Sequence, residues 1–235
     1  MGRPRVVAHR GASRAFPENT VEAFRGAVTL GADGIELDVR RCADGTLAVH
    51  HDPTPADGGP PLAERTAETL PAEVPTLATA LAASEPLWVN VEIKSDPAEP
   101  GFDPAYAVAG EVAAVLAAAG APERFLVSSF DPGAIAAHRA VDPSIPTGLL
   151  VFHLADLART VARAAEAGHV ALHPFDPLVD AALVDAAHAA GLAVNVWTVD
   201  DPARMVELAA LGVDAIITNV PDLARAALDA PPAAG

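Results

Sequence analysis

Two histidines, three carboxylates, an arginine and a lysine recur in short groups near the start of the chain. They read His9-Arg10-Gly11, Glu36-Leu37-Asp38, His51-Asp52 and, some forty residues later, Glu92-Ile93-Lys94. Pro17-Glu18-Asn19-Thr20 lies between the first two groups. Glu36 and Asp38 are two apart, as are Glu92 and Lys94, so on a strand each pair shares one face. Three carboxylates on neighbouring inward faces repel each other and raise each other's pKa unless a cation sits among them. Oxygen ligands suit a hard divalent cation, Mg²⁺ or Ca²⁺, better than Zn²⁺. The same spacing also fits a salt-bridge network in which Glu36 and Asp38 pair with Arg40 and Lys94, and spacing alone leaves both open. His9 and His51 have the side chain suited to acid/base work near neutral pH. Arg10, through its planar fork, and Lys94, as a point charge, suit a phosphate. Together these groups form an inventory for metal-assisted cleavage of a phosphodiester.

Other candidates are weaker. His173 precedes Pro174 at a strand end and is a candidate pocket residue. His50 should face away from His51, while His138, His153, His169 and His188 lie in or beside helices. Trp197 either walls a substrate's carbon skeleton or packs in the core, and spacing favours the core. Ser128 and Ser129 lack the Gly-x-Ser-x-Gly elbow that would expose a nucleophile.

Something must carry these groups to one place. Short β-branched runs alternate with Ala/Leu-rich segments of helical period throughout. The pattern predicts strands at 6–9, 34–40, 88–94, 125–129, 147–151, 169–173, 193–198 and 215–218. It predicts helices at 21–30, 77–83, 105–119, 132–140, 154–167, 179–190, 202–211 and 221–228. Eight strand–helix units in 235 residues give the arithmetic of a (β/α)8 TIM barrel, whose sites form at the C-terminal ends of the strands. A doubly wound sheet would show a Gly-rich fingerprint, and none is present. Asn19 is placed to cap the first helix, with Glu22 three residues on. Gly31, Gly120, Gly168, Gly191 and Gly212 each follow a helical run; Pro132, Pro202 and Pro221 sit at helix starts. Asp44-Gly45 followed by alternating residues 46–51 predicts a hairpin on the second strand. Residues 52–75, rich in Pro and Gly with a short helix at 62–69, form a compact loop insertion over the mouth. The whole chain is one domain, with a frayed tail at 230–235.

Bulk properties narrow the partners. A net charge of −16 disfavours nucleic acid and anionic membranes. The lone cysteine, Cys42, excludes an intrachain disulfide, and neither a signal peptide nor a membrane span is legible. The expectation is a cytoplasmic protein acting on a small molecule, with its oligomeric state unspecified.

The ordered set of motifs resembles the glycerophosphodiester phosphodiesterase family, whose barrel is of the phosphatidylinositol-phosphodiesterase type. The likeness runs from Val7-Ala8-His9-Arg10-Gly11 and Pro17-Glu18-Asn19-Thr20 through Glu36-Leu37-Asp38-Val39, Val49-His50-His51-Asp52-Pro53, Pro75-Thr76-Leu77 and Val91-Glu92-Ile93-Lys94. It continues to Val196-Trp197-Thr198-Val199 and Gly212-Val213-Asp214-Ala215-Ile216-Ile217-Thr218-Asn219. The resemblance implies hydrolysis of glycerophosphodiesters to an alcohol and sn-glycerol 3-phosphate. It implies one Mg²⁺ or Ca²⁺ on Glu36, Asp38 and Glu92, with His9 and His51 as acid/base pair and Arg10 and Lys94 on the phosphate. Trp197 joins them as a substrate contact. The family's Asp-Arg-Thr-Thr-like run after the His-Asp pair is replaced by Pro53-Thr54-Pro55-Ala56-Asp57-Gly58-Gly59, so the entrance should be shaped differently. Rival readings are a lysophospholipase D-like enzyme using Phe102, Phe130, Phe152, Phe175 and Trp197 as an apolar channel, a non-catalytic phosphate-binding barrel, and a Schiff-base aldolase on Lys94.

Overall fold

The computed structural model describes residues 2–230; most of the expected tail lies outside them. Eight parallel strands close into a barrel. They are β1 (Arg5–His9), β2 (Gly34–Arg41), β4 (Trp88–Ile93), β5 (Phe125–Ser129), β6 (Thr147–Val151), β7 (Ala171–Pro174), β8 (Ala193–Val196) and β9 (Ala215–Thr218). Closure comes from β1, which pairs with β2 on one side and β9 on the other. A short ninth strand, β3 (Leu47–Val49), runs antiparallel to the end of β2, as the Asp44-Gly45 turn requires.

Helices follow the strands on the outside. They are α1 (Val21–Thr29), α2 (Leu77–Ala83), α3 (Ala107–Ala119), α4 (Pro132–Val141), α5 (Leu157–Glu166), α6 (Ala181–Ala189), α7 (Pro202–Leu211) and α8 (Pro221–Asp229). Along β2, Ile35, Leu37 and Val39 enter the core beneath the helices. The period of two then forces Glu36 and Asp38 to the barrel interior. A second core, with Leu172, Val194, Met205 and Ile216, serves the other half of the ring. Oil between helices and sheet thus holds the wall, and the charged residues are left for the inside.

Several helix starts differ from expectation because capping side chains decide them. Helix α5 begins where Asp156 accepts from Arg159 N, and α6 where Asp180 accepts from Leu183 N. Asn19 does not cap α1. Thr20 does, accepting from Ala23 N at 3.2 Å. Residues 52–75 hold two single 3₁₀ turns, Leu62–Glu64 and Ala67–Thr69, where one short helix was expected. Leu62 and Val74 pack on Cys42 and Ala48 of the hairpin region. Arg65, 5% exposed, pins the loop through Asp57 and the carbonyls of Pro60 and Thr69. No helix among the described residues is long and apolar enough to cross a membrane.

Candidate active site

The carboxylates meet inside the barrel at its C-terminal end. Register places Asp38 opposite Glu92 across the β2–β4 pair. Glu36, Asp38 and Glu92 each offer an oxygen within 4.8 Å of the others, and all three are buried. Burial first, then the negative charges of Asp38 and Glu92, hold the Glu36 carboxyl well above the usual range. Burial and Asp38 likewise raise Glu92, to about 7, against the pull of Lys94. Burial would raise Asp38 as well, but Lys94, Arg10 and a hydrogen bond from Asn19 outweigh it and hold Asp38 low. Asn19 Nδ2 donates to Asp38 Oδ2 at 2.8 Å. To do so its backbone takes φ +57°, a left-handed conformation that Asn tolerates better than most residues.

Arg40 does not join this group. Its guanidinium donates to the His51 carbonyl and to Glu99, which overturns the salt-bridge alternative in which it pairs with Glu36 and Asp38. Arg10 and Lys94 do face the carboxylates. Lys94 Nζ is 2.8 Å from Glu92 Oε1 and 3.5 Å from Asp38 Oδ1. Arg10 Nε lies 3.2 Å from Asp38 Oδ2 without hydrogen-bond alignment, and its Nη1 donates to Glu18 at 2.9 Å. Gly11 explains the third member of its motif. At φ +80° it packs so closely on α1 that a Cβ would sit 2.7 Å from the Ala23 backbone.

The histidines flank the carboxylates. His9, ending β1, places Nε2 3.9 Å from Glu36 Oε2. Burial and the Arg10 charge lower its pKa. His51, just past β3, holds Nδ1 2.8 Å from Asp52 Oδ1. Burial and Lys94 lower His51, while Asp38 and Asp52 pull the other way. His50 binds the Asp52 carbonyl at the surface. Of the eight expected site residues, all but Asp38 line one cavity of about 180 Å³.

The cavity's opposite wall is apolar. Trp197 donates Nε1–H to the His173 carbonyl at 2.7 Å, which fixes the ring. Phe130 meets it edge-on at 5.5 Å, and Phe152, Phe175 and Trp197 pack together as a three-ring cluster, with centroids 4.9, 5.3 and 6.0 Å apart. Trp197 is therefore a half-buried pocket residue that also packs on Val7, Ala215 and Ile217, where spacing favoured the core alone. His173 is the reverse case. It is fully buried, fills the notch left by Gly148, and bonds Asn195 at 3.0 Å. Burial drives its pKa to about 3. Phe102 stands with Tyr106, away from the aromatic wall.

Three asparagines escaped the sequence reading as site residues. Asn19 orients Asp38, Asn90 lines the cavity beside Glu92, and Asn219 contacts His9. Asn90 shares a face with Glu92 by the spacing that paired Glu92 with Lys94, so that signal was available.

The glycerophosphoryl diester phosphodiesterase family model matches residues 9–223. The chain belongs to that family. It is 32% identical over 240 residues to a glycerophosphodiester phosphodiesterase of Caldanaerobacter subterraneus subsp. tengcongensis, covering 92% of this chain and 94% of that one. The crystal structure of a glycerophosphodiester phosphodiesterase from Agrobacterium tumefaciens superposes with a TM-score of 0.77 at 28% identity, over 95% of this chain and 99% of that one. An Oleispira antarctica phosphodiesterase, solved with its product sn-glycerol-3-phosphate, shares the fold. Its TM-score is 0.88 at 24% identity, over 97% and 98% of the two chains.

Proposed function

We propose that this family member hydrolyses glycerophosphodiesters to an alcohol and sn-glycerol 3-phosphate, with one divalent cation, Mg²⁺ or Ca²⁺, on Glu36, Asp38 and Glu92. One observation carries the reading: two histidines, two cationic side chains, Glu36 and Glu92 line one cavity, and Asp38 lies within 4.8 Å of both carboxylates. The carboxylates suit a cation. Glu36 Oε1 and Asp38 Oδ1 are buried and accept no hydrogen bond, a costly state for an acceptor with nothing to receive. A bound divalent cation neutralises charge at a phosphoryl oxygen and makes phosphorus more open to attack.

The protein's own residues then divide the work. With the carboxylates' charge taken up elsewhere, Arg10 and Lys94 are free to hold phosphate oxygens. One histidine accepts the proton of the attacking hydroxyl, which belongs to water or to the glycerol itself. The other returns a proton to the departing alkoxide, a poor leaving group without it. The aromatic wall stands where the carbon skeleton of a substrate would lie. It also favours a second reading, since Phe130 and Phe152 are each more than 40% exposed and a lysophospholipid chain would cover them. Assaying glycerophosphocholine beside lysophosphatidylcholine tests both. Turnover of the first alone supports the main reading, and turnover of the second alone overturns it. Ligand-induced thermal stabilisation with no turnover of either identifies a binding protein.

A further inference from the structure

Asn219, the residue after β9, is tied into a chain of hydrogen bonds that ends on His9. The β1–β9 pairing sets Ala8 beside Thr218, so the next residues on the two strands, His9 and Asn219, emerge together at the mouth. Asn219 Oδ1 lies 2.8 Å from His9 Nδ1 and also accepts from Ser13 Oγ at 2.8 Å. On its other side Asn219 Nδ2 donates to Asp200 Oδ2 at 2.7 Å, and its backbone N–H donates to Asp200 Oδ1 at 2.8 Å. Thr218 Oγ1 donates to the same Oδ1 at 3.0 Å.

The polarity of this chain follows from donor and acceptor chemistry. A carboxylate only accepts, so Asp200 compels the Asn219 amide to present its N–H₂ to it. The amide oxygen is thereby turned to His9. An amide oxygen also only accepts, so the hydrogen of the neutral imidazole must be on Nδ1. Nε2 is then left bare, on the side that faces Glu36 and the cavity.

We infer that Asn219, oriented by Asp200, is a positioning residue that fixes His9 as its Nδ1–H tautomer and so leaves its Nε2 free to accept the nucleophile's proton. His51, whose Nδ1 faces the anionic Asp52 carboxylate instead of a neutral amide, returns a proton to the leaving alkoxide. The proton passes from the attacking hydroxyl to His9 Nε2 while the new oxygen–phosphorus bond forms and the alkoxide bond breaks; no further reactant is needed. This rests on the reading of His9 as an acid/base group.

The test combines ring ¹⁵N NMR of His9 with kinetics on glycerophosphocholine. Wild-type His9 should show a protonated Nδ1 and a bare Nε2. Asn219→Ala should lose that preference and lower kcat about 100-fold, within the range of general acid/base contributions, with little change in KM. D200N places two amides face to face and should lower kcat too. The exchanged pair D200N/N219D presents a carboxylate to His9 and an amide behind it. It restores the polarity and should recover most of the kcat lost in D200N, even if Asn219→Ala fails to fold. An Nε2–H tautomer in the wild type, or full kcat in both D200N and Asn219→Ala while His9→Ala is inactive, overturns the proposal. Full activity of His9→Ala overturns the underlying reading of His9 as well.

Discussion

His9 and His51 approach the same carboxylates from different strands, and each is held through its Nδ1 by a different neighbour, Asn219 for one and Asp52 for the other. Replacing either with Ala should lower kcat by about 10²–10⁴-fold and leave divalent-cation affinity, read by calorimetry, close to wild type. A variant that loses both together would show that the histidine serves the metal instead. The carboxylates give a second prediction, for metal-free protein. Glu92 is held near 7 in the folded chain, against an ordinary value of 4.5. Between those values the folded state keeps a proton that the unfolded state has lost. The stability from this group is complete below about 4.5 and disappears as pH rises through 7. Metal-free protein should therefore lose thermal stability across that window, and Glu92→Gln should flatten the loss. A cation must displace the same proton. Binding measured in buffers of different ionisation enthalpy should release more protons at pH 6 than at pH 8; equal release at both would contradict the raised carboxyl.

At the scale of the elements, the strand period and the turn chemistry bring the site together. The eight strands and the hairpin were legible because most are short apolar, β-branched runs set between Ala/Leu-rich segments of helical period. The inward set Glu36, Asp38, Glu92 and Lys94 was legible because the period of two leaves no choice of face. Helix starts were less so. Asn19 and Thr20 are both good caps by type, and only the position of Asp38 decides which is drawn inward. Spacing alone favoured the core for Trp197 and the pocket for His173, the reverse of where their side chains lie, for a similar reason. Both end strands of alternating pattern, and the gap at Gly148 that receives the His173 ring comes from β6 and not from local sequence. Gly148→Ala should accordingly cost about 1–3 kcal/mol in denaturant unfolding, because a Cβ there lies 2.6 Å from His173 Nε2. Loss of less than that would mean the ring shifts freely. Thr20→Ala should cost about 1 kcal/mol through the lost cap.

For the whole molecule, a net charge of −16 and a focus of three buried carboxylates are a charge burden that a bound cation would relieve. A ligand that binds only the folded state stabilises it by mass action. Mg²⁺ or Ca²⁺ should raise the Tm of chelator-treated protein in a concentration-dependent way, and Glu36→Gln should abolish the shift. The resemblance to a family supplied what composition cannot, the reaction, because a barrel carries many chemistries. The measurement that bears most directly on the account is release of sn-glycerol 3-phosphate from glycerophosphocholine, glycerophosphoethanolamine and glycerophosphoglycerol by chelator-stripped protein, with Mg²⁺, with Ca²⁺ and without either. The account predicts release that requires the cation and is lost in Glu36→Gln. Release at full rate without metal, or none from any substrate with either ion, would contradict it.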